Sequence, residues 1–256
     1  MPRMIYARLA STTTLITLMS LGTARADPTI GPMTDLGSLD GNNSEASAVS
    51  ADGSVIVGWA KTGNGRRSGH VVSWVNGATS PTDLGTLGGG YSAAQAVSAD
   101  GGVIVGYADT TLGDGHAASW LNGSTTATDL GTLGGNQSDA YAVSADGSVI
   151  VGDAKTTSGD HHAASWLNGS TTATDLGTLG GTNGGALGVS ADGNVIVGIA
   201  ATTSGDTHAA SWVNGSTTAT DLGTLGGAHS FAKAVSADGS VIIGTALPTF
   251  GDSHAS

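Results

Sequence analysis

One block of about 46 residues is written five times along this chain, and that repetition limits the fold more than any other feature. The motif Thr-Asp-Leu-Gly-(Ser/Thr)-Leu recurs with its Asp at 35, 83, 129, 175 and 221. The motif Val-Ser-Ala-Asp-Gly recurs with its Asp at 52, 100, 146, 192 and 238. Both series step by 48, 46, 46 and 46 residues. Trp74, Trp120, Trp166 and Trp212 keep the step of 46, as do His70, His116, His162, His208 and His254. The five repeats make residues 27–256 a single domain. A period of this length belongs to solenoids, propellers and arrays, where each unit buries its apolar face on its neighbour.

Within one repeat the local signals are those of short antiparallel strands. In the third repeat, Ala140–Ser144 and Ser148–Gly152 are extended runs around the turn dipeptide Asp146-Gly147. Thr156–Asp160 is a loop, His162–Leu167 a third strand, Asn168-Gly169 a second turn, Ser170–Leu176 a fourth strand, and Gly177–Gly181 a glycine-rich exit. The run Val149-Ile150-Val151 is apolar on both faces, so it is expected to be covered on both. The expected fold is all-β, a β-propeller of four-stranded antiparallel blades. A β-solenoid with two coils of roughly 23 residues per repeat is the competing reading, disfavoured because tight turns make antiparallel hairpins. Met33-Thr34-Asp35-Leu36 is a fourth-strand sequence with no repeat before it, and the last repeat ends before its own fourth strand. The expectation is five blades closed into a ring by that N-terminal strand, leaving a monomer; a truncated propeller is the alternative, since a fifth Trp would fall at position 258.

Composition agrees with strands and turns. The chain has 43 Gly, and its 20 acids are 19 Asp and the single Glu45. Asp favours turns and Gly opposes helices, so a long helical protein is excluded. A formal charge of −12 excludes a nucleic-acid binder, which needs a basic stripe. There is no Cys, hence no disulfide or thiolate metal site.

Residues 1–26 have the pattern of a signal peptide: Arg3 and Arg8, an apolar stretch from Leu9 to Gly22, then Ala24-Arg25-Ala26 with cleavage between Ala26 and Asp27. The apolar stretch is shorter than the roughly 20 residues of a membrane span, and nothing after it could span. Cleavage removes three Arg, taking −12 to −15. The expectation is an exported protein of the periplasm, outer surface or medium.

The motifs TDLGTLGG, AVSADGSVIVG and His-Ala-Ala-Ser-Trp-Leu-Asn-Gly resemble the bacterial extracellular repeat family called HAF, over residues 33–256. The His-Ala-Phe that names the family is His-Ala-Ala at His116, His162 and His208, and His-Val-Val at His70. The resemblance implies a secreted or surface bacterial protein of the kind found in autotransporter passengers, and it implies no enzymatic activity.

Several side chains invite chemical roles. Asp114/His116, Asp160/His162, Asp206/His208 and Asp252/His254 are spaced to share a strand face and suit a divalent cation. A structural hydrogen bond is the stronger reading, because a metal site needs about three convergent ligands. The Asp of each Asp-Gly turn needs no ion, and the Trp series suits packing between blades better than sugar stacking. No metal and no cofactor are expected.

Catalysis needs unlike groups in one asymmetric constellation, whereas nearly every acid here is a repeated turn residue. The expectation is therefore no enzyme. The repeats differ mainly in two connections on one rim, which collects Arg66, Arg67, Tyr91, Asn136, Tyr141, His229 and Phe231. These are the candidate binding residues of a cell-surface interaction scaffold whose partner is a macromolecule or glycan. A lectin-like propeller is the alternative, and a propeller glycosidase using Glu45 a second one.

Overall fold

Antiparallel four-stranded sheets follow one another along the chain, in a computed structural model that describes residues 32–40, 43–63, 65, 68–121, 123–167, 169–249 and 254–255. The signal-peptide expectation, with its Ala26/Asp27 junction, lies outside the described residues, as do Arg66 and Arg67. Blade 1 is β1 (Ser44–Val49), β2 (Val55–Lys61), β3 (Gly69–Val75) and β4 (Thr82–Gly85). Blade 2 is β5 (Gly88–Val97), β6 (Val103–Thr110), β7 (Gly115–Leu121) and β8 (Thr128–Asp129). Blade 3 is β9 (Gly134–Val143), β10 (Val149–Thr156), β11 (His161–Leu167) and β12 (Thr174–Gly177). Blade 4 is β13 (Gly180–Val189), β14 (Val195–Thr202), β15 (Thr207–Val213) and β16 (Thr220–Asp221). A fifth sheet holds β17 (Gly226–Val235), β18 (Ile242–Pro248) and β19 (His254–Ala255). No helix occurs among the described residues, so none there could cross a membrane.

Each blade is a simple meander, and the first strands of successive blades lie against one another, as inner propeller strands do. Apolar residues on both faces of the second strand explain the stacking. In blade 3, Ile150, Ala154 and Trp166 pack back on Val103, Val105 and Leu130 of blade 2. Val151 and Ala163 of the same blade pack forward on Ile196, Ala200 and Trp212 of blade 4. The turn alanines add a backbone ladder: Ala51 N–H donates to Ala99 O (3.0 Å), Ala99 to Ala145 (2.9 Å), Ala145 to Ala191 (3.0 Å) and Ala191 to Ala237 (3.0 Å).

The third-repeat strands differ from expectation at both ends. The first strand begins at Gly134, because the glycine-rich exit continues into it, and the fourth is only Thr174–Gly177. The Asp-Gly turns also differ. Gly53 has φ +76°, but Asp52 is not in the left-handed region. Asp52 Oδ1 instead accepts from the Ser54 N–H (2.9 Å) and Ser50 hydroxyl (2.8 Å), closing a four-residue loop in which Ser50 N–H meets Val55 O. The two Asn-Gly sites among the described residues keep the expected geometry, with Asn76 at +53° and Asn214 at +54°.

Ring closure by Met33–Leu36 is not shown by the structure. Residues 32–38 belong to no strand, and among the described residues the fifth sheet has three strands. Leu36 instead accepts a hydrogen bond on its carbonyl from Trp74 Nε1 (2.6 Å), and Leu36 and Leu39 pack on blade 1.

Candidate functional site

The repeated polar residues are structural ties. Nδ1 of His70, His116, His162 and His208 meets both carboxylate oxygens of Asp83, Asp129, Asp175 and Asp221 at 2.8–3.0 Å, joining third strand to fourth. The partner is the Asp of Thr-Asp-Leu-Gly, not the Asp two residues earlier. Asp114 accepts from Asn136 Nδ2 (3.0 Å), and Asp160 from the Ser158 hydroxyl (2.8 Å). Among the described residues no three His, Cys, Asp or Glu are placed to hold a metal ion. The turn aspartates are held well below the usual carboxylate value, to about 2 at Asp52, Asp146 and Asp238. The leading cause is the Ser54 N–H at Asp52, and the Ser144 and Ser236 hydroxyls at Asp146 and Asp238. Trp74, Trp120, Trp166 and Trp212 are buried in the seams between blades.

Between these constant features runs one row that changes in every blade. Where first and second strands pair, the cross-strand partners are Glu45/Trp59, Ala93/Tyr107, Asp139/Asp153, Gly185/Ile199 and Phe231/Thr245. The next pair is nearly constant: Ala46/Gly58, Ala94/Gly106, Ala140/Gly152, Ala186/Gly198 and Ala232/Gly244. A bulge follows on the first strand. The constant glycine has a direct cause. A Cβ at Gly152 would stand 1.9 Å from the Asp139 carbonyl oxygen, and one at Gly58 1.8 Å from that of Glu45. Backbone is thus fixed beside the variable pair, and bulges are a common device for aiming side chains.

Two groups in this row are unlike the rest. Across blades 1 and 2, Trp59 and Tyr91 have ring centroids 6.2 Å apart, and Tyr91 and Tyr107 5.7 Å, both tilted. All three rings are half-buried, and Trp59 Nε1 donates to Glu45 Oε2 (3.2 Å). In blade 3, buried Asp153 accepts a short hydrogen bond from the Tyr141 hydroxyl on one oxygen and meets His161 Nδ1 at 2.5 Å on the other. Burial first, then the charge of Asp153, pushes Asp139 up to about 6. Burial likewise raises the Tyr141 hydroxyl, helped by Asp153.

Of the residues expected on a loop rim, Tyr91, Asn136, Tyr141, His229 and Phe231 all lie in first strands. The structure brings Tyr91 to Trp59 and Tyr107, and Tyr141 to Asp153. His229 Nδ1 instead accepts from Thr207 N–H (3.2 Å), a stitch between blades, and Phe231 faces a cavity at the last seam. Sequence reasoning missed Trp59, Tyr107, Asp139, Asp153 and His161 as a site. The signal was there: the residue after each Val-Ile-(Val/Ile)-Gly is Trp, Tyr, Asp, Ile and Thr in turn.

No family model matches the chain, and no curated protein matches it. Among solved structures it is similar to a putative TolB from Agrobacterium tumefaciens, with TM-score 0.58 and 14% identity over 83% of this chain and 76% of that one. It also resembles TolB from Acinetobacter baumannii (TM-score 0.49, 16% identity), covering 71% of this chain and 43% of that one. A puromycin hydrolase matches with TM-score 0.51 and 13% identity, over 79% of this chain but 33% of the hydrolase. The chain therefore spans less than half of two of these three proteins. At such identities the likeness shows the fold alone, a β-propeller. The hydrolase corrects the expectation that the chain is no enzyme, because the same fold forms part of an enzyme.

Proposed function

We propose that the chain is an exported β-propeller that binds carbohydrate where its first and second strands carry the variable row. The half-buried cluster Trp59–Tyr91–Tyr107, with Glu45 at its edge, is the observation that carries this reading. Aromatic faces take the apolar side of a sugar ring, while carboxylates accept its hydroxyls. The signal-like N-terminus and the HAF-like motifs support export, and in this reading the repeats form the rigid scaffold that presents the row to a cell-surface glycan. A glycan array with the full chain tests it. Reproducible binding that falls at least tenfold in Trp59→Ala and Tyr107→Ala, with melting profiles that stay cooperative, is the expected result; a blank array or binding indifferent to both substitutions overturns it.

Blade 3 supports a second reading. A carboxyl that keeps its proton to about pH 6 beside a second carboxylate is the division of labour used in glycoside hydrolysis, and Asp139 and Asp153 sit opposite each other in the register. Release of reducing ends from the bound glycan, lost in Asp139→Asn with binding retained, is its expected outcome.

A further inference from the structure

Among the histidine–aspartate pairs of the described residues, His161–Asp153 is built the opposite way from the other four. In the repeated ties the imidazole is the sheltered partner, with 19–26% of the side chain exposed, and the carboxylate is open, at 42–44%. In His161–Asp153 the carboxylate is buried, at 9%, and the imidazole is the open partner, at 38%. The repeat does not call for this pair. The place of His161 is taken by Gly69, Gly115 and Thr207 in the other blades, and that of Asp153 by Trp59, Tyr107 and Ile199. A tie needed by the fold recurs from blade to blade; this one stands alone in blade 3.

Register sets the chemistry-bearing side chains on one face of that blade. Asp139 of β9 stands opposite Asp153 of β10, and His161 of β11 stands opposite Lys155, two residues further along β10. Cross-strand partners and residues two apart share a face, so Asp139 and His161 flank the buried Asp153. Both Asp153 oxygens are occupied, one by the Tyr141 hydroxyl and the other by His161 Nδ1. A carboxylate only accepts, so a neutral His161 carries its proton on Nδ1 and its lone pair on Nε2. Nε2 has no hydrogen-bond partner among the described residues. Asp139 and His161 lie two strand spacings apart, roughly 10 Å between backbones. An acid and a base that work with a water between them stand roughly 6.5–9.5 Å apart, within reach of two side chains on one face from that distance.

Resting on the glycoside-hydrolysis reading of blade 3, we propose that His161, and not Asp153, is its base: Nε2 takes a proton from water while Asp153 and Tyr141 hold the ring. The water oxygen bonds to the anomeric carbon as its proton passes to Nε2. The bond from that carbon to the glycosidic oxygen breaks, and the oxygen takes the proton of Asp139. One water is consumed, a free sugar and an alcohol are released, and His161 and Asp139 reset by exchanging protons with solvent. A buried carboxylate that fixes the tautomer of an exposed imidazole is a general way to aim a base. A single displacement by water inverts the anomeric centre, whereas attack by a carboxylate retains it. Asp153 and Tyr141 are positioning residues in this scheme.

Hydrolysis of a panel of 4-nitrophenyl α- and β-glycosides by the full chain, with proton NMR of the first anomer released, tests the assignment. Inversion is expected. His161→Asn keeps an N–H for Asp153 but removes the base, and kcat is expected to fall about a hundredfold or more with KM changed less than about threefold. In His161→Ala, added imidazole is expected to raise kcat about tenfold, and to leave Asp139→Asn unaffected. Tyr141→Phe and Asp153→Asn, which loosen or reverse the hold on the ring, are expected to lower kcat with KM kept. Circular dichroism checks folding, and His161→Asn decides the matter where the other variants do not fold. Retention of configuration, full turnover by His161→Asn, or a loss in His161→Ala that imidazole leaves unchanged overturns the role of His161 and leaves the acid role of Asp139 standing. No turnover of any glycoside by the unmodified chain overturns both.

Discussion

Gly152 and Asp139 carry the residue-scale consequences, and they act through different physics. With the Asp139 carbonyl 1.9 Å from where a Cβ would stand, Gly152→Ala must move backbone, not a flexible side-chain end. A loss of more than about 2 kcal/mol in chemical denaturation is expected. Gly113 has φ +86° and open space around it, so Gly113→Ala is expected to cost only about 1–2 kcal/mol, from backbone conformation. Similar losses for the two would remove the close-contact explanation. Asp139 governs a pH effect of opposite sign to the turn aspartates. Its folded form holds a proton to about pH 6, whereas the unfolded chain releases it near the usual value of 3.8. Between those values the folded state binds more protons, so this group lowers stability as pH rises from about 4 to 6. Asp139→Asn is expected to remove that slope and to raise stability at pH 7 by about 1–2 kcal/mol after allowance for solvent screening. Thermal melts from pH 4 to 7 read this directly, and an unchanged slope refutes it. Asp52, Asp146 and Asp238 are instead depressed to about 2, so their contribution is present above the usual 3.8 and fades as pH falls toward 2.

At the scale of elements, the first strands of blade 2, blade 3 and the fifth sheet are each pinned to the blade before by one serine. Ser92 accepts from Val71 N–H (2.9 Å) and donates to Gly85 O (2.7 Å). Ser138 does the same with Ala117 N–H (2.8 Å) and Gly131 O (2.7 Å), and Ser230 with Ala209 N–H (2.8 Å) and Gly223 O. Blade 4 has Gly184 at this place, and a Cβ there would lie 3.3 Å from Ala163 N and 3.5 Å from Gly177 O, within reach of the same two partners. Gly184→Ser is therefore expected to stabilise the protein by about 1–2 kcal/mol, from one buried hydrogen-bond pair and a stiffer unfolded chain. A denaturation midpoint that falls instead would show that the 3.2 Å approach to Ile199 O outweighs the bonds. The existence and order of the strands were legible in the sequence, because alternating turn dipeptides and apolar runs mark them in every repeat. Their lengths were not. Glycine-rich Gly134–Asn136 looks like a loop by propensity, yet the Thr132 hydroxyl braces it locally by donating to Gly135 O (2.9 Å), and Leu133 ties it to β10 by bridging to Thr156. The fourth strand shrank because the six-residue stretch from Asn76 to Pro81 and its equivalents loop before pairing begins.

For the molecule as a whole, the seams between blades hold most of the apolar core, and those between blades 1 and 2, 2 and 3, and 3 and 4 are each sealed by one tryptophan against the leucine of a Thr-Asp-Leu-Gly motif. In blade 1 that leucine is Leu36, which precedes the first strand. Leu36→Asp should unseat Trp74, seen as a red-shifted tryptophan emission and a lower first transition on heating; unchanged emission would show that Leu36 O and not its side chain holds the indole. The sequence by itself determined the repeat, the strand class, the propeller-like stacking and the buried tryptophans, because period, turn chemistry and two-faced apolar runs are local properties repeated five times. Only the tertiary structure decided the site. Trp59, Tyr91 and Tyr107 come from two repeats, and Asp139, Tyr141, Asp153 and His161 from three strands of one, so register and blade packing, not spacing along the chain, bring them together. The same applies to the His–Asp ties: the partner two residues away was the one visible in sequence, while the partner 13 residues away is reached only after third and fourth strands pair.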